Sequence, residues 1–354
     1  MSYIRFLLGK GLSLGVIAVV ALLATVVIAG YGGAIDEILL REIERQARES
    51  VARDPSFRGL SQVAREEILA DLIASRSIEV GLDRPFFERL PGFMLQAVRL
   101  DFGAAWFLTS DAGSRQVIDI IAERIPRTVL LFTTGTLFTL AVGIPLGMRM
   151  ARKPLGFLDR SIVSLALVSN ALPLWWTGML MILVFSFTLR VFPPGGFVSV
   201  PPPNHPVLYA VDILFHMTLP LITIVLIGFG GFAYVTRNMV LRVFQEDYIV
   251  AERARGIPER TITYQHALRA ASPPIATLIG FSLLGSLGGA IISEAVFNWP
   301  GIGRLFFDAI SQQDVPLIVG LTYVSILLYV LLIFVLEIVY MILDPRVRVT
   351  PGKR

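Results

Sequence analysis

The stretch EDYIVAERARGIPERTITYQHALRAASPP, Glu246 to Pro274, holds the residues whose types and spacing bear most directly on function. Ala251 and Ala254 lie three apart, so on a helix they share one face and leave it nearly bare. Glu252, Arg253 and Arg255 crowd around that face. Gly256 is the residue type that most easily leaves a helix in a left-handed conformation. Pro258 can open a second helix at its first position. This spacing predicts a short helix, a sharp turn and another helix. A small-residue face rimmed by charge is suited to docking into another protein's groove, which is binding chemistry and not catalysis. An ordinary amphipathic loop has the same helix–Gly–Pro punctuation.

Catalytic constellations are not discernible. The sequence contains no Cys, which excludes a disulfide framework and thiolate metal ligands. Its three His residues, His205, His216 and His266, are scattered and have no metal-ligand spacing. There is no G-x-x-x-x-G-K-[ST] loop, so no ATP is expected to bind through a P-loop of this chain. The net charge of +4 belongs to loops flanking apolar runs and gives no footprint for nucleic acid. The expectation is therefore no catalytic residue, no metal and no cofactor bound by this chain, with any energy supplied by a partner.

The remaining candidates are isolated polar or aromatic residues in apolar surroundings. Glu337 lies in an apolar run, where a carboxylate must be paired, neutral or facing a cavity. An ion pathway and a structural hydrogen bond both fit. Glu294 sits at the outer end of another run, as a gate contact or a helix-end contact. Trp175, beside Trp176 and Pro173, could line a path or simply pack. Asn170 and His216 are further candidates for the pore. Trp299 reads mainly as an anchor at the membrane–water interface.

The elements that position these residues are membrane spans. The chain of 354 residues is 55% hydrophobic with a mean hydropathy of +0.70. That is too apolar for a soluble domain of this length. Runs of about twenty apolar residues can cross a bilayer. Six are read: Leu12 to Gly30, Thr128 to Met148, Ile162 to Leu189 interrupted by Pro173, Val211 to Tyr234, Ile275 to Ser293, and Leu317 to Leu343. A cleaved signal peptide competes for the first, but its apolar run is longer than the usual signal core. Pro173 is expected to be tolerated within its span. Residues 35–127 are charged and helix-favouring, which predicts a small aqueous domain. Lys and Arg are concentrated in the N-terminal stub, the loops around Lys153 and Arg253, and the tail. The opposing short loops have only Arg190 and Arg304. The positive-inside rule then places both termini in the cytoplasm.

A second motif lies close to the first: GGAIISEAVFNWPGIGRLFFDAISQQDVPLIVG. Its Glu294, Val296, Phe297, Pro300, Gly301 and Gly303 form an E-x-V-F-x-x-P-G-x-G run, followed by Asp308 and Asp314. Together with Ala251, Ala254, Gly256, His266, Ala267, Leu268 and Pro274, this resembles the ABC-importer permeases of the dipeptide/oligopeptide/nickel branch. The DFG of Asp101 to Gly103, IPRTVLL with GIPLG, and DPRVR at Asp344 to Arg348 agree with the same branch. The resemblance covers Phe86 to Arg348. It departs at GYGGAIDE after the first span, and at 35–83, which is longer and more charged. Glu337 stands where the family more often has Asp.

The resemblance implies an all-α membrane protein with six transmembrane helices, of the type I ABC importer transmembrane fold. Residues 1–34 would be the stub and first helix, and 35–127 a mainly helical extracytoplasmic domain. Residues 128–348 would be the permease core, with a coupling loop at 241–274, and 349–354 a cytoplasmic tail. Ala251, Glu252, Arg253, Ala254, Arg255, Gly256 and His266 would couple to an ATPase. Glu294, Phe297, Trp299, Pro300, Gly301 and Gly303 would form the outer gate or contact a binding protein. The implied partners are a second homologous permease, two ATPase subunits that bind ATP and Mg, an extracytoplasmic solute-binding protein, and membrane lipid. The implied location is the cell (inner) membrane. Peptides are the implied cargo, with oligosaccharides or nickel chelates as the alternative. A proton-coupled secondary transporter using Glu337 or Glu294 is the other class.

Overall fold

The computed structural model describes residues 3–31, 33–53, 57, 61–79 and 82–343. The DPRVR motif and the tail after it lie outside the described residues. The chain is helical throughout, and among the described residues the only β pairing is an isolated bridge between Ala104 and Gln116. The helices are α1 (Tyr3–Tyr31), α2 (Ala34–Arg53), α3 (Gln62–Glu79), α4 (Phe86–Val98), α5 (Val117–Arg152), α6 (Phe157–Ala171) and α7 (Leu174–Met181). They continue as α8 (Pro206–Phe244), α9 (Asp247–Ala254), α10 (Glu259–Thr261), α11 (Leu268–Ser286), α12 (Ile291–Val296), α13 (Ile302–Gln312) and α14 (Val315–Leu343). Wider π-helical turns extend α7 over Ile182–Thr188 and lead into α11 over Ile262–Ala267.

Five helical segments are long and apolar enough to cross a membrane: Gly9–Ile28, Val117–Arg152, Pro206–Phe244, Glu259–Ser286 and Val315–Ile338. A sixth crossing is available only if α6 and the α7 segment count as one span. These two are bent by 100°. Here the sequence expectation of one kinked span is corrected. The residue before a proline is pushed out of the helical region, and Leu172 is extended at φ −97°, ψ 123°. Pro173 then stands as the N-cap of α7, so the run is broken into two helices. Pro126, Pro145 and Pro220, by contrast, sit inside continuous helices. α5 also begins at Val117, within the segment assigned from sequence to the aqueous domain.

The chain divides into two compact units. The first comprises Met1–Gly11, Arg124–Phe307 and Leu331–Arg354. Its centre is an apolar cluster in which Leu131 and Phe132 of α5 meet Met217 and Leu219 of α8, with Phe297 and Trp299. A second cluster joins Met148 and Val240 to Ile249, Ile262 and Ala267. The start of α6 is tied to the end of α8 by a bidentate ion pair. Arg237 Nε and Nη2 donate to Asp159 at 2.5 and 2.7 Å. Lys10 Nζ donates to Glu337 Oε1 at 2.7 Å.

The second unit comprises Leu12–Glu123 and Asp308–Val330. α2 packs on α3, and Arg89 of α4 makes a two-pronged ion pair with Asp36 of α2 at 2.6 and 3.1 Å. Leu22, Val26, Ala97 and Tyr323 form its apolar cluster. Asp314, fully buried just before α14, accepts the backbone N–H groups of Phe107 and Leu108 at 2.9 and 3.3 Å.

Candidate functional site

The helix–turn–helix expected at Glu246 to Pro274 is present, and its two sides differ. Ile249 and Ile262 are wholly buried and anchor it to the apolar cluster below. Ala251, Arg253, Ala254, Arg255 and Gly256 are exposed. Gly256 has φ +75°, the left-handed region that a side chain rarely adopts. Its N–H donates to Arg253 O at 2.9 Å, and Ile257 N–H donates to Glu252 O at 3.2 Å. These two bonds are the Schellman closure of a helix C-terminus. Pro258 is the N-cap of α10, one residue earlier than the expected first helical position. Arg253 turns back onto the loop, bonding Glu259 at 2.6 Å and lying over the Phe244 ring at 5.2 Å. Glu252 Oε1 and His266 Nδ1 are 2.5 Å apart. Glu252 Oε2 is buried with no hydrogen-bond partner among the described residues. The result is a rigid knuckle with a bare alanine face, which can insert into a complementary cleft.

The second motif is built around Glu294, which is 1% exposed. Thr128 Oγ1 donates to its Oε1 at 3.0 Å, and the backbone N–H of Arg304 donates to Oε2 at 3.1 Å. Thr128 Oγ1 in turn accepts the N–H of Ile302 at 2.7 Å. Burial pushes the Glu294 carboxyl up to about 7, against the lowering effect of these donors. A Cβ on Gly301 would run into Glu294 Oε2 and Thr128 Oγ1, and one on Gly303 would meet the backbone of Ala290 and Ile291 at 2.9 Å. The two glycines therefore permit close approach. At Gly303 it is backbone, not a yielding side chain, that stands in the way of any Cβ.

Trp299 is 0% exposed, and its indole N–H donates to Arg127 O at 2.9 Å. Its ring lies edge-on to Phe197, 5.1 Å between centroids. It is a core residue, which corrects its reading as an interfacial anchor: a tryptophan with a backbone acceptor in reach can be buried whole. Phe297, Gly301 and Gly303 are also buried, so only Pro300 of the six gate candidates keeps partial exposure. Their side chains offer no surface to a docking protein in this conformation. What they form is a latch joining the start of the α5 span to the 301–304 turn.

The pore candidates have separate local settings. Asn170 is exposed at the end of α6 and Trp175 is half-buried at the start of α7, across the 100° break. His216 is 6% exposed, with Nδ1 2.9 Å from Asp212 O. Glu337 is ion-paired with Lys10. Sequence reasoning did not single out Thr128, Asp159 or Arg237. Asp159 and Arg237 lie in separate stretches of sequence, so no local pattern joins them. Thr128 was placed only as the start of a span.

Residues 143–349 match the family model described as binding-protein-dependent transport system inner membrane component. The chain is 30% identical over 288 residues to the oligopeptide transport system permease protein AppB of Bacillus subtilis (81% of this chain, 86% of the relative). It is 33% identical over 284 residues to a putative peptide permease protein of Brucella suis biovar 1 (79% and 85%). It is 30% identical over 277 residues to the probable peptide ABC transporter permease protein y4tP of Sinorhizobium fredii (78% and 85%). Its fold resembles a chain of the inward-facing MetNI methionine ABC transporter, with a TM-score of 0.50 at 15% identity, over 64% of this chain and 97% of that one.

Proposed function

The chain belongs to the inner-membrane components of binding-protein-dependent transport systems, and from that premise we propose that it forms half of the translocation pathway of an ATP-driven importer of di- or oligopeptides. The relatives named as oligopeptide and peptide permeases support the cargo class. A second, related permease completes the pathway. Two ATPase subunits bind ATP and Mg on the cytoplasmic side, and a solute-binding protein delivers cargo outside. Both termini are cytoplasmic.

The observation that carries the mechanism is the exposed α9 knuckle on a buried base. Its Ala251/Ala254 face enters the ATPase cleft, and Glu252 and Arg255 flank the entry. The buried residues Ile249 and Ile262 make the knuckle part of the span core, so a movement of the ATPases is transmitted to α8 and α11. Near-solid packing passes displacement on and does not absorb it. The cargo undergoes no covalent chemistry. Glu294, Phe297 and Trp299 hold the outer gate shut from within, through the Thr128 latch.

The test is uptake by the assembled complex in proteoliposomes, with labelled peptides, oligosaccharides and nickel chelates compared. Peptide uptake that needs both ATP and the binding protein is expected. Gly256→Val strains a left-handed residue by about 1 kcal/mol or more, and it should uncouple ATP hydrolysis from peptide supply. Uptake driven by a proton gradient without ATPase subunits would refute the proposal.

A further inference from the structure

The second unit contains a cavity of about 450 Å³ that has no part in the mechanism above. Its size is in the range of small-molecule sites. Its walls come from two kinds of element. Leu22 and Val26 of α1 and Val319 and Tyr323 of α14 form an apolar wall. At about 1.5 Å rise per residue, Leu22 and Tyr323 lie roughly 12–13 Å in from the ends of their helices. The other wall is polar and aromatic, with Glu42, Asp101 and Trp106. An apolar floor on span turns under a polar roof is the profile of an amphiphile lying at the bilayer interface.

The polar groups are arranged at two depths. Toward the aqueous side, no Lys or Arg lines the cavity, and its carboxylates are Glu42 and Asp101. Glu42 is already bound by Arg45 at 2.5 Å. Asp101 accepts only the Gly103 N–H, at 3.3 Å, among the described residues. It therefore retains capacity for a cation with N–H donors. Arg41 stands outside the lining: its guanidinium lies 4.2 Å over the ring of the wall residue Trp106 and pairs with Glu37 at 2.8 Å. Deeper in, Tyr323 is 4% exposed, and its hydroxyl has no hydrogen-bond partner among the described residues.

We propose that this cavity binds the headgroup and glycerol region of a zwitterionic phospholipid with a primary amine. Asp101 takes the ammonium and Tyr323 a glycerol ester oxygen, the phosphate stays at the cavity mouth, and the acyl chains leave along Leu22 and Val319. A loop of the binding protein is the competing occupant. The lipid is favoured because one wall is made of span turns, with Leu22, Val26 and Val319 offering apolar surface to an acyl chain. The inference is independent of the cargo.

The experiment uses the assembled transporter in nanodiscs of phosphatidylethanolamine, phosphatidylcholine or phosphatidylglycerol, extracted and weighed by native mass spectrometry. Retention of phosphatidylethanolamine is expected to exceed phosphatidylcholine, since a trimethylated amine has no N–H for Asp101. Asp101→Asn and Tyr323→Phe should each weaken retention roughly fivefold, the equivalent of one hydrogen bond. Ala97→Phe, which fills the cavity, should abolish it. The two conservative variants guard against a filled variant that fails to fold. Equal retention of all three lipids, or retention unchanged in Asp101→Asn and Tyr323→Phe, overturns the proposal. So does a result in which the variants weaken only binding-protein affinity, which would assign the cavity to that partner.

Discussion

Gly301→Ala is the smallest change that should break the Glu294 latch. The added methyl has to occupy space held by Glu294 Oε2 and Thr128 Oγ1, both in a fully enclosed setting. Three hydrogen bonds meet there: Thr128 to Glu294, Arg304 N–H to Glu294, and Ile302 N–H to Thr128. Separating the groups leaves at least one buried acceptor and one buried N–H unmatched. Each orphaned group costs about 1–3 kcal/mol, so two should destabilise this region by about 2–6 kcal/mol. Assembly with partner subunits should survive the change, because the latch is internal to this chain. The assay is the thermal midpoint of the purified complex, read beside peptide uptake. A drop in midpoint with near-complete loss of uptake and retained assembly is expected. Thr128→Val should reproduce much of the loss, since it removes the shared hydroxyl. Wild-type midpoint and uptake in Gly301→Ala would refute the close-approach argument.

Three other outcomes follow from the same structure. Glu294 has a folded pKa near 7, above its ordinary value near 4.5. The stability it contributes is therefore full below about pH 4.5 and lost as pH rises through 7; Glu294→Gln should flatten the thermal midpoint between pH 5.5 and 8, and an unchanged slope would count against it. Asp159 is 2% exposed and holds the partly buried Arg237, so Asp159→Ala removes a charge-assisted pair and should cost about 1.5–3 kcal/mol; normal yield and midpoint of that variant would contradict this. Cysteine at Ser61 should react with an impermeant thiol reagent in intact cells, whereas cysteine at Ser161 or Arg255 should not until the membrane is opened. Reversed labelling would invert the orientation.

The spans and the knuckle were legible in the sequence for physical reasons that act locally. An apolar run of about twenty residues has few stable places other than a bilayer. Gly256 and Pro258 punctuate a helix because of their own backbone limits, and Gly256 indeed stands at φ +75°. What failed was whatever depended on neighbours distant in sequence. Pro173 has the same chemistry as Pro220, yet one breaks a run by 100° while the other sits inside α8. Leu172 is extended before Pro173, whereas the residue before Pro220 stays helical. Trp299 suits an interface or a core equally well by composition. The carbonyl of Arg127, 172 residues away in the chain, decided in favour of the core. Gly303 could be a hinge or a contact, and the backbone at Ala290 and Ile291 made it a contact. The sequence alone determined which segments are apolar enough for a membrane and where the knuckle must turn, since hydropathy and backbone sterics are properties of short stretches. The tertiary structure alone decided which polar groups are partners, because a hydrogen bond needs two groups within about 3 Å and sequence order places no limit on which two those are.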